Sequence, residues 1–97
     1  MNEAITLPGR YSQMSPAERR EARAEYAKLQ EGRCYYCKGD LSSGPPPEIE
    51  AKSIDWRRFP PNFLRYPLHL HHHHKTDLTL GVVHARCNAV LWQYHGE

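Results

Sequence analysis

Leu68-His69-Leu70-His71-His72-His73-His74-Lys75-Thr76-Asp77-Leu78-Thr79-Leu80-Gly81-Val82-Val83-His84-Ala85-Arg86-Cys87-Asn88 is the stretch on which the fold turns. The alternation from Leu68 to His72 predicts a strand, Lys75-Thr76-Asp77 a turn, and Leu78 to Val83 a second strand. Ala85 to Tyr94 suits a helix, with Ala89, Val90 and Trp92 buried and Gly96 near its end. The order is a β-hairpin followed by a helix, with histidine chemistry on the first strand.

Neighbouring residues of a strand face opposite sides. A site that uses both His71 and His72 therefore needs them at the strand end, where the turn begins. The run His71 to His74 is internal and leads into Lys75-Thr76, so it reads as part of the fold and not as a purification tag. A generic metal-sequestering tract is the plainer alternative.

Outward from this stretch, His84-x-x-Cys87 pairs with an earlier Cys34-x-x-Cys37. Two residues between ligands let both side chains of a tight turn reach one ion, and four soft or borderline ligands make a closed tetrahedral site for structural Zn²⁺. His69 and His95 are the competitors for the place of His84. The other reading is a Cys34–Cys37 redox pair with Cys87 as a buried thiol, but no βαβ pattern surrounds it.

Upstream, Ser15-Pro16-Ala17-Glu18 is a helix start: a cap, a proline at the first helical position and a capping-box glutamate. Arg19 to Glu31 is rich in helix formers, with Ala22, Tyr26 and Leu29 as a modest buried stripe, and Gly32 ends it. Arg19, Arg20, Arg23 and Lys28 share this helix with Glu21, Glu25 and Glu31. That is either a salt-bridged solvated face or a helix that contacts a nucleic-acid backbone. Residues 1–14 are expected to be a flexible or loosely docked arm, and 15–97 a single domain. Ser42 to Pro47 is a loop or linker. Between 53 and 67, Ile54, Trp56, Phe59, Phe63, Leu64 and Tyr66 interleave with Arg57, Arg58 and Arg65; most of the rings are expected to cover the core, and the arginines to track phosphates.

The 97 residues suffice for one domain and want a staple, which zinc would supply. The net charge of +2 permits nucleic-acid binding without demanding it. Three cysteines are an odd count for a disulfide framework. No apolar run reaches a membrane span and the N-terminus lacks signal-peptide features, so a reducing cytoplasm, bacterial or phage-infected, is the expected compartment.

Cys34 to about Trp92 resembles the HNH nucleases of the phage recombination endonuclease VII family. That family carries a Cys-x-x-Cys knuckle, a strand with Asp-His-Asp-His-Lys-Thr, then Gly and a second knuckle ending in Cys-Asn. The resemblance implies an α+β, zinc-stabilised ββα-metal (His-Me finger) fold with an N-terminal helix alongside. It implies zinc on Cys34, Cys37 and Cys87, with His84 where the family usually has cysteine. His72 matches the general base, His74 a second histidine near the scissile phosphate, and Asn88 a ligand of the catalytic divalent ion. His71 and His73 stand where the family has aspartates. The aspartate at position 71 binds that ion; the nuclease colicins also resemble this chain in having His-His there. An imidazole favours Mn²⁺ or Ni²⁺ over Mg²⁺.

The expected function is therefore metal-dependent hydrolysis of phosphodiesters in double-stranded or branched DNA, by nicking or double-strand cleavage, leaving a 5′-phosphate and a 3′-hydroxyl. Arg57, Arg58, Arg65, Lys75 and Arg86 are the expected DNA-contacting residues; a solvated arginine at a helix start is an equal reading for Arg86. No room remains for a separate specificity domain, so sequence preference is expected to be weak unless a homodimer mate or another protein supplies it. The alternatives are a non-catalytic zinc module that binds DNA or protein, and a histidine-rich metal-binding protein.

Overall fold

The computed structural model describes residues 6–96. Its centre is an antiparallel hairpin of β1 (Leu68–His72) and β2 (Thr79–His84). The chain then passes directly into helix α3 (Ala85–His95). The mixed α/β character and the strand–turn–strand–helix order expected from the sequence are present. Helix α1 (Pro16–Leu29) and α3 both pack on the hairpin, and a four-residue helix, α2 (Pro47–Glu50), packs on α3.

Local chemistry sets the ends of these elements. Ser15 Oγ accepts from Glu18 N (3.1 Å) while Ser15 N donates to the Glu18 carboxylate (2.8 Å), the reciprocal box expected at the start of α1. The chain reverses after α1 through Gly32, whose φ of 73° suits a residue without Cβ. Gly96, at φ 72°, ends α3 in the same way.

A two-stranded sheet leaves backbone groups open on both outer edges. On β2 a side chain meets that need. Gln30, at the end of α1, accepts from Val82 N through Oε1 (2.9 Å) and donates to Val82 O through Nε2 (3.0 Å). The Tyr35 backbone N–H also donates to Val82 O (3.0 Å). Close approach of these groups requires Gly81, because a Cβ there would lie 2.7 Å from both Gln30 Oε1 and Tyr35 Cδ1.

The core lies between the hairpin, α3 and the cysteine loops. Val82, Val83, Val90 and Leu91 pack with Leu41 and Ile49, and Cys34 and Cys87 belong to the same buried cluster. Ala89 is buried and Trp92 half-buried. Trp56, Leu64 and Tyr66 are exposed, so the rings of the 53–67 segment cover less of the core than the sequence led us to expect.

Residues 9–14, part of the segment expected to be a flexible or loosely docked arm, are laid along the hairpin. Gly9 N donates to Thr79 Oγ1 (3.0 Å) and Gly9 O accepts from Thr79 N (2.9 Å). Tyr11 N donates to Asp77 O (2.8 Å), and Ser12 donates to the Asp77 carboxylate. Residues 1–5 of the expected arm lie outside the described residues. Among the described residues, no helix is long and apolar enough to cross a membrane.

Candidate metal centre and histidine cleft

The knuckle at Cys34-x-x-Cys37 folds as a tight loop. Cys34 N donates to Gly39 O (2.7 Å), Lys38 N donates to Cys34 O (3.0 Å), and Gly39 N points at Cys37 Sγ (3.4 Å). The second pair sits where β2 becomes α3, because His84 ends the strand and Cys87 lies in the first turn of the helix. The ligand atoms of Cys34, Cys37, His84 and Cys87 all fall within 4.8 Å of one another.

The tautomer of His84 is settled by its neighbours. Nε2 lies 2.9 Å from Asp40 O and 2.8 Å from Ser43 O. Carbonyl oxygens only accept, so Nε2 carries the proton and Nδ1 is left with a lone pair. Nδ1 faces Cys37 Sγ at 3.4 Å and Cys87 Sγ at 3.6 Å. A backbone carbonyl that orients an imidazole ligand is the usual support of a metal-bound histidine. The competitors are engaged elsewhere: His95 Nε2 meets the Tyr36 hydroxyl (3.0 Å) and His69 Nδ1 meets Asn88. The three sulfurs converge with His84 Nδ1. The Cys87 thiol's hydrogen bond holds the Cys34 thiol below the usual cysteine range, whereas the same bond and burial push Cys87 up. Three sulfurs and one nitrogen in a closed, buried arrangement suit structural zinc.

A cleft of about 870 Å³ opens over β1. Its floor includes His69, His71, His72 and His74 with Asn88 of α3. A strand irregularity lies between His71 and His72, both of which line the cleft. His71 pairs with Gly81 and His72 with Thr79, so β2 has one residue more than β1 at this point. The sequence requirement that the two lie at the strand end is met.

Each histidine has a distinct setting. His71 is buried beside the Tyr35 ring. His72 is half-buried, with Tyr11 stacked on one face and His74 edge-on to it. Burial is the main cause that lowers its pKa below the usual histidine value, helped by His74 and His71 and opposed by Asp77. His73 turns to the loop, where Nδ1 accepts from Lys75 N (3.2 Å) and Thr76 N (3.3 Å). That is what a carboxylate does in an Asx turn.

The chain matches no protein-family model, no curated protein and no solved structure. The site is therefore read from its own geometry.

Asn88 Nδ2 lies 3.1 Å from His69 Nδ1. An amide nitrogen only donates, so His69 Nδ1 accepts and the Asn88 carbonyl oxygen is left for another partner. Sequence reasoning weighed His69 only as a zinc ligand; the signal for its real setting was its two-residue offset from His71, which puts both on one face. Burial lowers the His69 pKa, against a bond to the Phe63 backbone that raises it.

The expected DNA-contacting residues scatter. Arg58 lines the cleft, with its guanidinium 4.8 Å from the Trp92 ring centre. Arg57 is paired with Asp55 (2.9 Å). Arg65 lies over Tyr66, and Lys75 is exposed in the turn; neither lines the cleft. Arg86 does not either: it donates to Glu50 O (3.1 Å), lies 3.7 Å from the Glu50 carboxylate and covers Trp56. The cationic lining comes mainly from Arg19, Arg20 and Arg23 of α1.

Proposed function

We propose that this chain is a metal-dependent DNA endonuclease of the HNH type, with β1, β2 and α3 forming its ββα-metal unit. The observation that carries this reading is the convergence of His71 and His72 from β1 and Asn88 from α3 on one cleft that also holds arginines.

Phosphodiester hydrolysis needs a base for water and positive charge at the phosphate. His72 is suited to the first task, because its lowered pKa keeps the ring unprotonated near neutral pH. His74, edge-on to His72 and exposed, would meet the phosphate or the leaving oxygen; its contact with His72 supports that role. His69 holds the Asn88 amide by its nitrogen. A borderline donor set of the His71 imidazole and the Asn88 carbonyl oxygen suits Mn²⁺ or Ni²⁺ better than Mg²⁺. A divalent ion on those two residues would supply Lewis-acid charge at the scissile phosphate. The Cys34–Cys37–His84–Cys87 zinc would be structural, since all four of its positions are filled.

One observation favours the second reading, a non-catalytic zinc module. Among the described residues, the cysteine–histidine set is the one group of three or more His, Cys, Asp or Glu with ligand atoms close enough to hold an ion. Cleavage of supercoiled plasmid by zinc-loaded protein in Mn²⁺, Ni²⁺, Mg²⁺ or EDTA, beside His72→Ala, separates the two. Nicking that needs added metal and is lost in the variant supports the enzyme. No cleavage in any metal by folded protein supports the module.

A further inference from the structure

Nineteen residues line the cleft, and their charges are sorted. Arg19, Arg20, Arg23 and Arg58 are there with four histidines, and no aspartate or glutamate is. The whole chain has 13 Lys and Arg against 11 Asp and Glu, so the segregation is not a by-product of overall charge. Arg19 and Arg23 are four apart on α1, and Arg20 and Arg23 three apart, so they share a helix face. Among the described residues the ion pairs are Lys28–Glu25, Arg57–Asp55 and Arg86–Glu50, so no acid neutralises Arg20 or Arg23. Arg19 is turned to Tyr11, donating to its carbonyl (2.8 Å). Aromatic rings complete the lining: Phe59, Phe63, Tyr66 and Trp92. Tyr66 is 63% exposed and has the Arg65 guanidinium 5.6 Å from its ring centre, so a cation and an accessible aromatic face stand together at the edge of the cleft.

We infer that this cleft binds one strand of nucleic acid, with phosphates along Arg20 and Arg23 and an unstacked base against Tyr66. Positive charge draws the backbone, and aromatic faces take bases of any identity; together they are the chemistry of single-strand grooves. The inference deepens the nuclease reading by naming its substrate form, a single-stranded or locally opened site. It replaces Arg57, Arg65, Lys75 and Arg86 as phosphate contacts by Arg20 and Arg23, with Arg58 retained.

Binding, measured apart from cleavage, tests it. Fluorescence anisotropy of a labelled oligothymidylate of about 12 nucleotides, and of a duplex of the same length, is followed against salt with zinc-loaded protein and no added divalent ion. We expect the single strand to bind more tightly than the duplex. Arg20→Gln and Arg23→Gln should each weaken binding and lower the slope of log affinity against log salt by about 0.7. Tyr66→Ala should weaken single-strand binding at an unchanged slope. Arg57→Gln and Lys75→Gln should bind as wild type, and zinc content and circular dichroism should show every variant folded. Tighter duplex binding, or an unchanged slope in the folded Arg20→Gln/Arg23→Gln double variant, would overturn the inference. The two readings fail separately. Arginine-dependent binding without cleavage in any metal removes the enzyme and keeps the groove. Cleavage that persists in the double variant removes the groove and keeps the enzyme.

Discussion

Tyr11 stacks face to face on His72, with ring centres 3.9 Å apart and planes within 8° of parallel. Arg19 closes the other end of the stack, its guanidinium 3.9 Å from the Tyr11 ring centre. A segment that reads in the sequence as a flexible or loosely docked arm thus covers one face of the candidate base. Removing the ring would return water to the imidazole and stabilise its charged form. Tyr11→Ala should therefore raise the His72 pKa toward 6.5, the ordinary value, and NMR titration of the imidazole measures this without any substrate. If the plasmid is cleaved, the acid limb of the rate profile should lie below pH 6.5 in wild type and move up in the variant. An unchanged titration would mean that the stack does not control the base.

The same burial makes stability depend on pH. Folded His69 and His72 bind protons less tightly than they would in the unfolded chain, where each titrates near 6.5. The unfolded state therefore takes up more protons as pH falls, and stability is lost from about 6.5 downward through the lowered folded values. Urea midpoints between pH 8 and about 5 should fall on the acid side. A flat profile would show that neither ring is held neutral by the fold.

Zinc should behave as part of the core, since Cys34 and Cys87 sit in the main apolar cluster. Chelation by a strong competitor should unfold the chain cooperatively, and one equivalent of Zn²⁺ should restore it. His84→Cys should retain the metal. His84→Ala should lose affinity by orders of magnitude, whereas His95→Ala should not, as mass spectrometry of the folded protein and circular dichroism would reveal.

Gly81→Ala tests the seam between α1 and β2. The added methyl meets Gln30 Oε1 and Tyr35 at 2.7 Å, against a backbone also held by the Gln30 amide. We expect a loss of about 1–3 kcal/mol by overpacking. Gln30→Ala, which strips both bonds from Val82, should cost a similar amount, about 1–3 kcal/mol. Denaturant unfolding measures both.

Position 73 should accept aspartate readily, because its imidazole only accepts two backbone N–H groups in the turn. His73→Asp should keep stability within about 0.5 kcal/mol, and His73→Ala should lose about 1 kcal/mol. Position 71 is different. His71→Asp should shift any cleavage toward Mg²⁺, whereas His73→Asp should leave the metal preference alone. Equal Mg²⁺ and Mn²⁺ rates in wild type would count against His71 as a ligand.

The local elements were legible in the sequence because their causes are local. Ser15-Pro16-Ala17-Glu18 can only satisfy its own first-turn N–H groups as a capped helix start. Alternation and turn chemistry likewise made the hairpin and the helix after it readable, and two matched x-x spacings brought out the four residues of the candidate metal site. Tertiary structure alone decided the rest, because those relationships join residues far apart in the chain. The arm reaches His72 across 61 positions, Gln30 meets Val82 across 52, and Asn88 selects His69 over His71 through the packing of α3 on β1. Arg86 stands next to the zinc-site cysteine in sequence, yet helix periodicity turns it to Glu50 and away from the cleft. Arg20 and Arg23 lie far from the histidines in sequence, but α1 packs against the hairpin and brings them to the same cleft. Spacing along a chain reports which residues can share a turn or a face; which faces meet is set by the packing of whole elements.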